Sequence, residues 1–314
     1  MGPALIWLGQ RGQSCLIAGL VVGLVVPELA SLLRPWVGTF IALLLFVTAI
    51  RVGARRAFGS VGDLRASLAR IFILQTVLPL VFALIAVNAE LGELPLFMAV
   101  GMMLAAPSLT GAPNFAAMMG RDPAPGMRLL VLSTFLFPLT ALPVLFVLDP
   151  AGEGAMGAVS LSFGLLTVIF LVVGVGFGVR RVVPQLGDEP IPKMLDGVAA
   201  LVLAIVVVGL MSAIGPLLRS DPVQLVMWIL AALTVNFSLV IMTMFLSIRF
   251  GWTSPLSTSI YAGNRNIALF LIVLPEDVVA PLMIFVGCYQ IPMYLTPALL
   301  SQVTAFVDRR GTQN

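Results

Sequence analysis

Ser259-Ile260-Tyr261-Ala262-Gly263-Asn264-Arg265-Asn266-Ile267-Ala268-Leu269 sets one arginine in the middle of an otherwise apolar segment. An ionisable side chain at such a depth is costly and marks a functional site, with a partner to be found. Its neighbours sharpen the point. Gly263, Asn264 and Asn266 are poor helix formers, so the segment is expected to unwind there and turn backbone groups toward a cavity.

The surrounding chain supports a membrane setting. Of 314 residues, 60% are hydrophobic and 10% charged, and the mean hydropathy is +1.11; a soluble domain carries about 25% charged residues. There is no histidine, which removes the usual metal sites and His-based triads. Cys15 and Cys288 offer no paired metal-ligand spacing. The sequence pI of about 9.3 comes from arginines scattered in short loops, a topology signal and not a nucleic-acid surface. The stretch from Met1 to Gln13 lacks a cleavable signal, because Ala18 to Val26 continues into a segment long enough to span.

With about 20 apolar residues per span as the ruler, ten segments emerge, near 13–32, 35–53, 68–88, 94–119, 127–148, 157–179, 194–217, 223–248, 255–275 and 279–306. Basic residues by side test this division. One face collects Arg11, Arg51, Arg55, Arg56, Arg65, Arg70, Arg121, Arg128, Arg180, Arg181, Lys193, Arg249, Arg309 and Arg310, while the other holds only Arg34 and Arg219. The second face carries Glu28, Glu90, Glu93, Asp149, Glu153, Asp221, Glu276 and Asp277. A ratio of fourteen to two would be scrambled by one missed helix, so both termini are expected in the cytoplasm of a cell whose inner (plasma) membrane the chain crosses repeatedly.

Two segments differ from the rest. The fourth contains Pro107-Ser108-Leu109-Thr110-Gly111-Ala112-Pro113-Asn114 and the ninth contains Tyr261 to Asn266. Broken spans at corresponding places in two halves point to an inverted-repeat transporter with a midplane site. Gln75 and Asn236 are isolated amides in the third and eighth spans, where interhelical glue and a binding role are both open. Tyr289 and Gln290 in the tenth span are weaker candidates. Ser133 and Thr134 in the fifth are best read as bonding their own helix backbone, and the methionines as packing.

These features together resemble the bile acid:sodium symporter family: the two broken spans, Leu74-Gln75-Thr76-Val77-Leu78-Pro79-Leu80, and Ser133-Thr134 followed by Pro138. The resemblance runs over the whole chain in span order. It implies an all-α polytopic membrane protein of ten transmembrane helices in two inverted five-helix repeats. The broken fourth and ninth helices would cross at the binding site. A panel subdomain would cover about 13–53 and 157–217, and a core subdomain about 68–148 and 223–306. It also implies import of organic anions with sodium.

The departures matter as much. The family's ninth-helix pattern Glu-x-Gly-x-Gln-Asn becomes Tyr261-Ala262-Gly263-Asn264-Arg265-Asn266, so the sodium-binding carboxylate and glutamine are lost. The fourth helix has Pro107-Ser108-Leu109 and then Pro113-Asn114 where the family has Pro-Gly-Gly and Ser-Asn. None of the fourteen acidic residues falls mid-span, although a hard cation ordinarily wants a carboxylate among its oxygens.

The expected function is therefore alternating-access transport of a small organic anion of carboxylate type, not sodium-coupled in the family manner. Arg265, Asn264, Asn266, Asn114 and Thr110 would grip the anion, with Gln75, Tyr261, Asn236, Tyr289 and Gln290 around them. A guanidinium presents a fork suited to carboxylates. Arg265 could alternatively cap the carbonyl ends of a half-helix. Sodium coupling through neutral oxygens and a non-transporting receptor remain alternatives. No acid, histidine or paired nucleophile assembles mid-span for catalysis. No cofactor, metal or nucleic acid is expected; the partners are the anion and the bilayer.

Overall fold

The computed structural model describes residues 2–58 and 64–311. The side chains of Gln13, Arg55, Arg56, Asp277, Arg309 and Arg310, named above, lie outside what is described, as do Met1 and the link at 59–63. Helices run as α1 Gly2–Gln10, α2 Gly12–Val25, α3 Pro27–Leu33, α4 Val37–Phe58, α5 Leu64–Phe72, α6 Leu78–Asn88 and α7 Pro95–Ala105. They continue as α8 Ala112–Met118, α9 Ala124–Leu148, α10 Gly154–Val182, α11 Ile191–Ser220, α12 Pro222–Arg249, α13 Pro255–Gly263 and α14 Glu276–Gly311. Short 3-10 turns at Arg34–Trp36 and Ile267–Ile272 and a π turn at Ile73–Val77 join some of these. The chain is an all-α polytopic membrane protein.

Seven described helices are long and apolar enough to cross a membrane, and α1 with Ser14–Val25, bent by 86°, adds an eighth when counted as one span. Each apolar helix satisfies its own backbone, the condition for lying in lipid. The outward faces show large apolar side chains, among them Phe163, Leu171, Val226 and Phe245, a surface that only an apolar solvent accommodates. The inward faces meet on Met102, Met103, Phe137, Phe285 and Leu210, so several of the methionines do pack the interior.

The first two spans are divided differently from the sequence expectation of 13–32 and 35–53. The break falls at Val26, whose φ of −119° and ψ of 76° are not helical, and a continuous apolar helix follows over Pro27–Gly53. Pro27 cannot donate to the preceding turn and favours the first helical position. Pro35, by contrast, is absorbed in a 3-10 turn without stopping the helix. The ninth segment is the nine-residue helix α13, a break, and the Ile267–Ile272 3-10 turn.

α11 packs along α2 and α4, α10 along α4 and α9, and α12 along α13 and α14. Two ion pairs join distant helices, and the first joins residues that the charge count placed on the same face. Arg34 meets Glu276 at 3.0 Å, and Arg51 pairs with Asp196.

Candidate functional site

The fourth apolar segment breaks because its helix α7 meets Pro107. Ala106 adopts an extended conformation (φ −66°, ψ 154°), as a residue before proline is driven to do. The ninth breaks at Asn264, also extended (φ −112°, ψ 92°). The two extended pieces lie antiparallel, Ser108 opposite Arg265. Asn266 N–H donates to the Pro107 carbonyl at 2.8 Å, and Leu109 N–H to the Asn264 carbonyl at 2.9 Å. Each break thus supplies the hydrogen bonds that the other lost by leaving the helix, which is what makes unwound backbone tolerable at this depth.

Arg265 is buried to 1% exposure, and its side-chain hydrogen bonds among the described residues all go to backbone carbonyls. Nε donates to the Ala262 carbonyl at 3.0 Å, one terminal nitrogen to the Ala106 carbonyl at 3.0 Å, and the other to the Leu74 carbonyl at 2.8 Å. The first two acceptors belong to the C-terminal ends of α13 and α7, each carrying roughly half a negative elementary charge. Two such ends offset one guanidinium. The third acceptor has a covalent origin: in the π turn Leu78 N–H reaches Ile73, so the next donor in that register would be residue 79, a proline without an N–H. Leu74 is thereby left for Arg265. The guanidinium also lies 4.2 Å from the centre of the Tyr261 ring, a favourable cation–π distance.

Two amides brace this crossing from opposite sides. Gln75 accepts from the Tyr261 hydroxyl at 2.7 Å and donates to Thr140 Oγ1 at 2.8 Å and the Ser133 carbonyl at 3.2 Å. Asn236 donates to the Gly263 carbonyl and accepts from Thr296 at 3.2 Å. Tyr289 joins it, donating to Gly263 and accepting from the Arg265 N–H at 3.3 Å. Gly263 permits the close approach: a Cβ there would stand 2.2 Å from Val240 and 2.9 Å from the Asn236 carbonyl. Ser133 does more than bond its own helix, because it also accepts from Ser108 N–H at 3.1 Å. Among the described residues Thr134 bonds only Leu130.

A cavity of about 650 Å³ ends on the crossing. Thr110, Asn114, Asn266, Arg265, Tyr289 and Gln290 line it at the crossing, and the rest of its wall includes the apolar Leu16, Ile41, Leu44 and Leu203 and the polar Gln10, Arg11, Arg51 and Asp196. Gln10 and Arg11 are exposed, so the cavity reaches the surface beside them. Of the ten residues singled out from sequence, six line the cavity. Asn264, Gln75, Tyr261 and Asn236 stand behind the wall, fully buried. Asn264 instead donates to Ile260 and caps α13, and its Oδ1 has no partner among the described residues.

The cavity-facing residues divide by commitment. Gln290 is tied to Val286 and Tyr294, and Arg265 to its three carbonyls. No side-chain hydrogen bond is found among the described residues for Thr110, Asn114 or Asn266, and these are the polar groups free to take a ligand. Arg51 and Asp196 went unnoticed as site residues in the sequence, where Arg51 counts only as a topology charge. Its place two residues inside the end of the 35–53 span was the available signal.

No protein-family model matches the chain, and no curated protein matches it in sequence.

Proposed function

We propose that the chain is a secondary transporter that moves a small organic anion of carboxylate type by alternating access, without sodium coupling. In this reading the bent first pair and the two broken segments complete ten spans in two inverted repeats. The core subdomain, about 68–148 and 223–306, rocks against the panel, about 13–53 and 157–217, with both termini in the cytoplasm at the inner (plasma) membrane. The chain is a carrier and not a catalyst. The observation that carries the reading is a cavity of about 650 Å³ that stops at two mutually hydrogen-bonded helix breaks, where Thr110, Asn114 and Asn266 present uncommitted polar groups. Broken helices meeting at a midplane site are how membrane carriers expose backbone and polar groups to cargo.

The charge balance supports sodium independence. The carbonyl ends of α7 and α13 already hold a permanent cation. The carbonyl oxygens at these helix ends, which could otherwise ligate sodium, are thereby occupied, and no mid-span carboxylate stands in for them, although a hard cation ordinarily wants one.

The test is thermal unfolding of the purified protein against acetate, pyruvate, succinate, citrate, benzoate and octanoate, each in sodium and in choline buffer. A ligand of the native state raises the melting point by mass action. A shift of equal size in both buffers is expected. A shift confined to sodium buffer would return the sodium-coupled alternative. No shift with any anion would end the anion reading. Uptake of the shifting anion into proteoliposomes separates a carrier from a receptor that binds without flux.

A further inference from the structure

We propose that the side chain which takes the charged group of the anion is Arg51, with Asp196 occupying it while the cavity is empty, and that Arg265 is a positioning residue. This rests on the anion-carrier reading above. Three cationic side chains line the cavity: Arg11, Arg51 and Arg265. Arg265 has given its donors to Ala262, Ala106 and Leu74, and releasing any of them would orphan a buried carbonyl. Arg11 is exposed and stacked on Trp7 at 4.6 Å, in water where the cavity reaches the surface. Arg51 is the cation that is half-buried and paired only with Asp196 among the described residues.

Its position suits a ligand that also reaches the free polar groups. Arg51 follows Thr48 by three residues on α4, about 4.5 Å along the helix axis. Thr48 lines both the main cavity and a smaller hollow that it shares with Thr110 and Asn266. One molecule can therefore place a carboxylate on Arg51 and its uncharged end against Thr110, Asn114 and Asn266. The side chain of Arg51 is 14% exposed, whereas its partner Asp196 is 36% exposed. The carboxylate is thus the member of the pair that can turn to water at lower cost, and an incoming carboxylate replaces it like for like on a guanidinium whose fork accepts either. Only one guanidinium nitrogen of Arg51 bonds Asp196, and no second partner for Arg51 is found among the described residues. The pair thus forms a surrogate-ligand arrangement: a carboxylate of the protein's own keeps the half-buried cation neutralised until cargo arrives.

This arrangement predicts opposite signs for the two halves of one ion pair. The probe is octanoate, whose tail matches the apolar part of the cavity wall, with octanamide as its uncharged counterpart. Dissociation constants come from melting-point titration in choline buffer. Asp196→Asn removes the competing carboxylate and is expected to lower the octanoate Kd by about three- to tenfold. Arg51→Gln is expected to raise it by at least about tenfold, the range for a charged hydrogen-bonding group. Arg51→Lys should fall between. Octanamide should respond to none of the three. A pair that serves only to tie α4 to α11 predicts that Asp196→Asn and Arg51→Gln lower the melting point alike and leave the octanoate Kd unchanged, and that result overturns the assignment. Asp196→Asn keeps the guanidinium in place, so the sign of its effect decides the matter even where Arg51→Gln fails to fold. Wild-type protein that binds none of the six carboxylates would overturn the carrier reading as well. Octanoate binding with unchanged Kd in both variants overturns the Arg51 role alone.

Discussion

Replacing Arg265 by methionine keeps much of the side-chain length and removes the charge and all three bonds to Leu74, Ala106 and Ala262. Each orphaned buried carbonyl costs about 1–3 kcal/mol, and the lost stacking on Tyr261 adds up to about 2 kcal/mol. Against this, burying a guanidinium carries a desolvation penalty of several kcal/mol that the variant no longer bears. The net expectation is a loss of about 3–5 kcal/mol, the range for removing one partner of a buried charge interaction. At roughly 2 °C per kcal/mol for a chain of this size, the melting point should fall by about 6–10 °C.

Rescue gives the experiment its specificity. In Arg265→Ala the space between the half-helix ends is vacant and still faced by the C-terminal ends of α7 and α13. Guanidinium chloride at about 20 mM, far below denaturing concentrations, should then restore part of the lost melting temperature by binding the native state. Tetramethylammonium chloride at the same ionic strength should not, because it has no N–H to offer the carbonyls. Wild-type protein should gain nothing from either salt. A drop of less than about 1 °C in Arg265→Met, or equal effects of the two salts on Arg265→Ala, would refute the claim that this cation holds the crossing together.

Other consequences are open to direct measurement. Gly263→Ala drives a Cβ into Val240 and the Asn236 carbonyl and should cost about 1–3 kcal/mol by overpacking, read as a lower melting point. Gln75→Leu removes the acceptor of Tyr261 and the donor to Thr140 and Ser133 and should cost about 1–3 kcal/mol; a melting point unchanged from wild type would show the network to be incidental. Pro79→Ala returns an N–H that can compete for the Leu74 carbonyl, so Arg265→Met should be less damaging in that background, with a coupling of about 0.5–1.5 kcal/mol in a double-mutant cycle. Asn114→Ala should leave the melting point within about 1 °C of wild type while weakening the bound carboxylate several-fold.

The electrostatic arrangement separates two tasks that the sequence appeared to give to one residue. A deep arginine in an apolar chain invites assignment as the ligand's counter-charge. Here the counter-charge is the backbone: two helix C-termini and a carbonyl released by a proline five residues on. The partner sought for Arg265 is therefore spread over main-chain atoms that no side-chain inventory reveals.

Much of this was legible in the amino-acid order. Apolar runs of membrane-spanning length, the lopsided distribution of Lys and Arg, and Pro107, Gly263 and the surrounding amides are local signals, because lipid punishes unsatisfied backbone and buried charge at each position separately. The two breaks and their shared importance followed from those rules. What only the tertiary structure decided were the relations between distant segments. Ser108 faces Arg265 across an antiparallel pairing, Gln75 reaches Tyr261, Asn236 reaches Gly263, and Asn264 turns away from the cavity to cap its own helix. The same holds for Arg51 and Asp196, which lie 145 residues apart and of which only Arg51 was read from the sequence, as a topology charge. Whether a polar side chain serves the backbone or faces a cavity depends on which helix packs beside it, and that is set by packing across the whole bundle and not by any window of sequence.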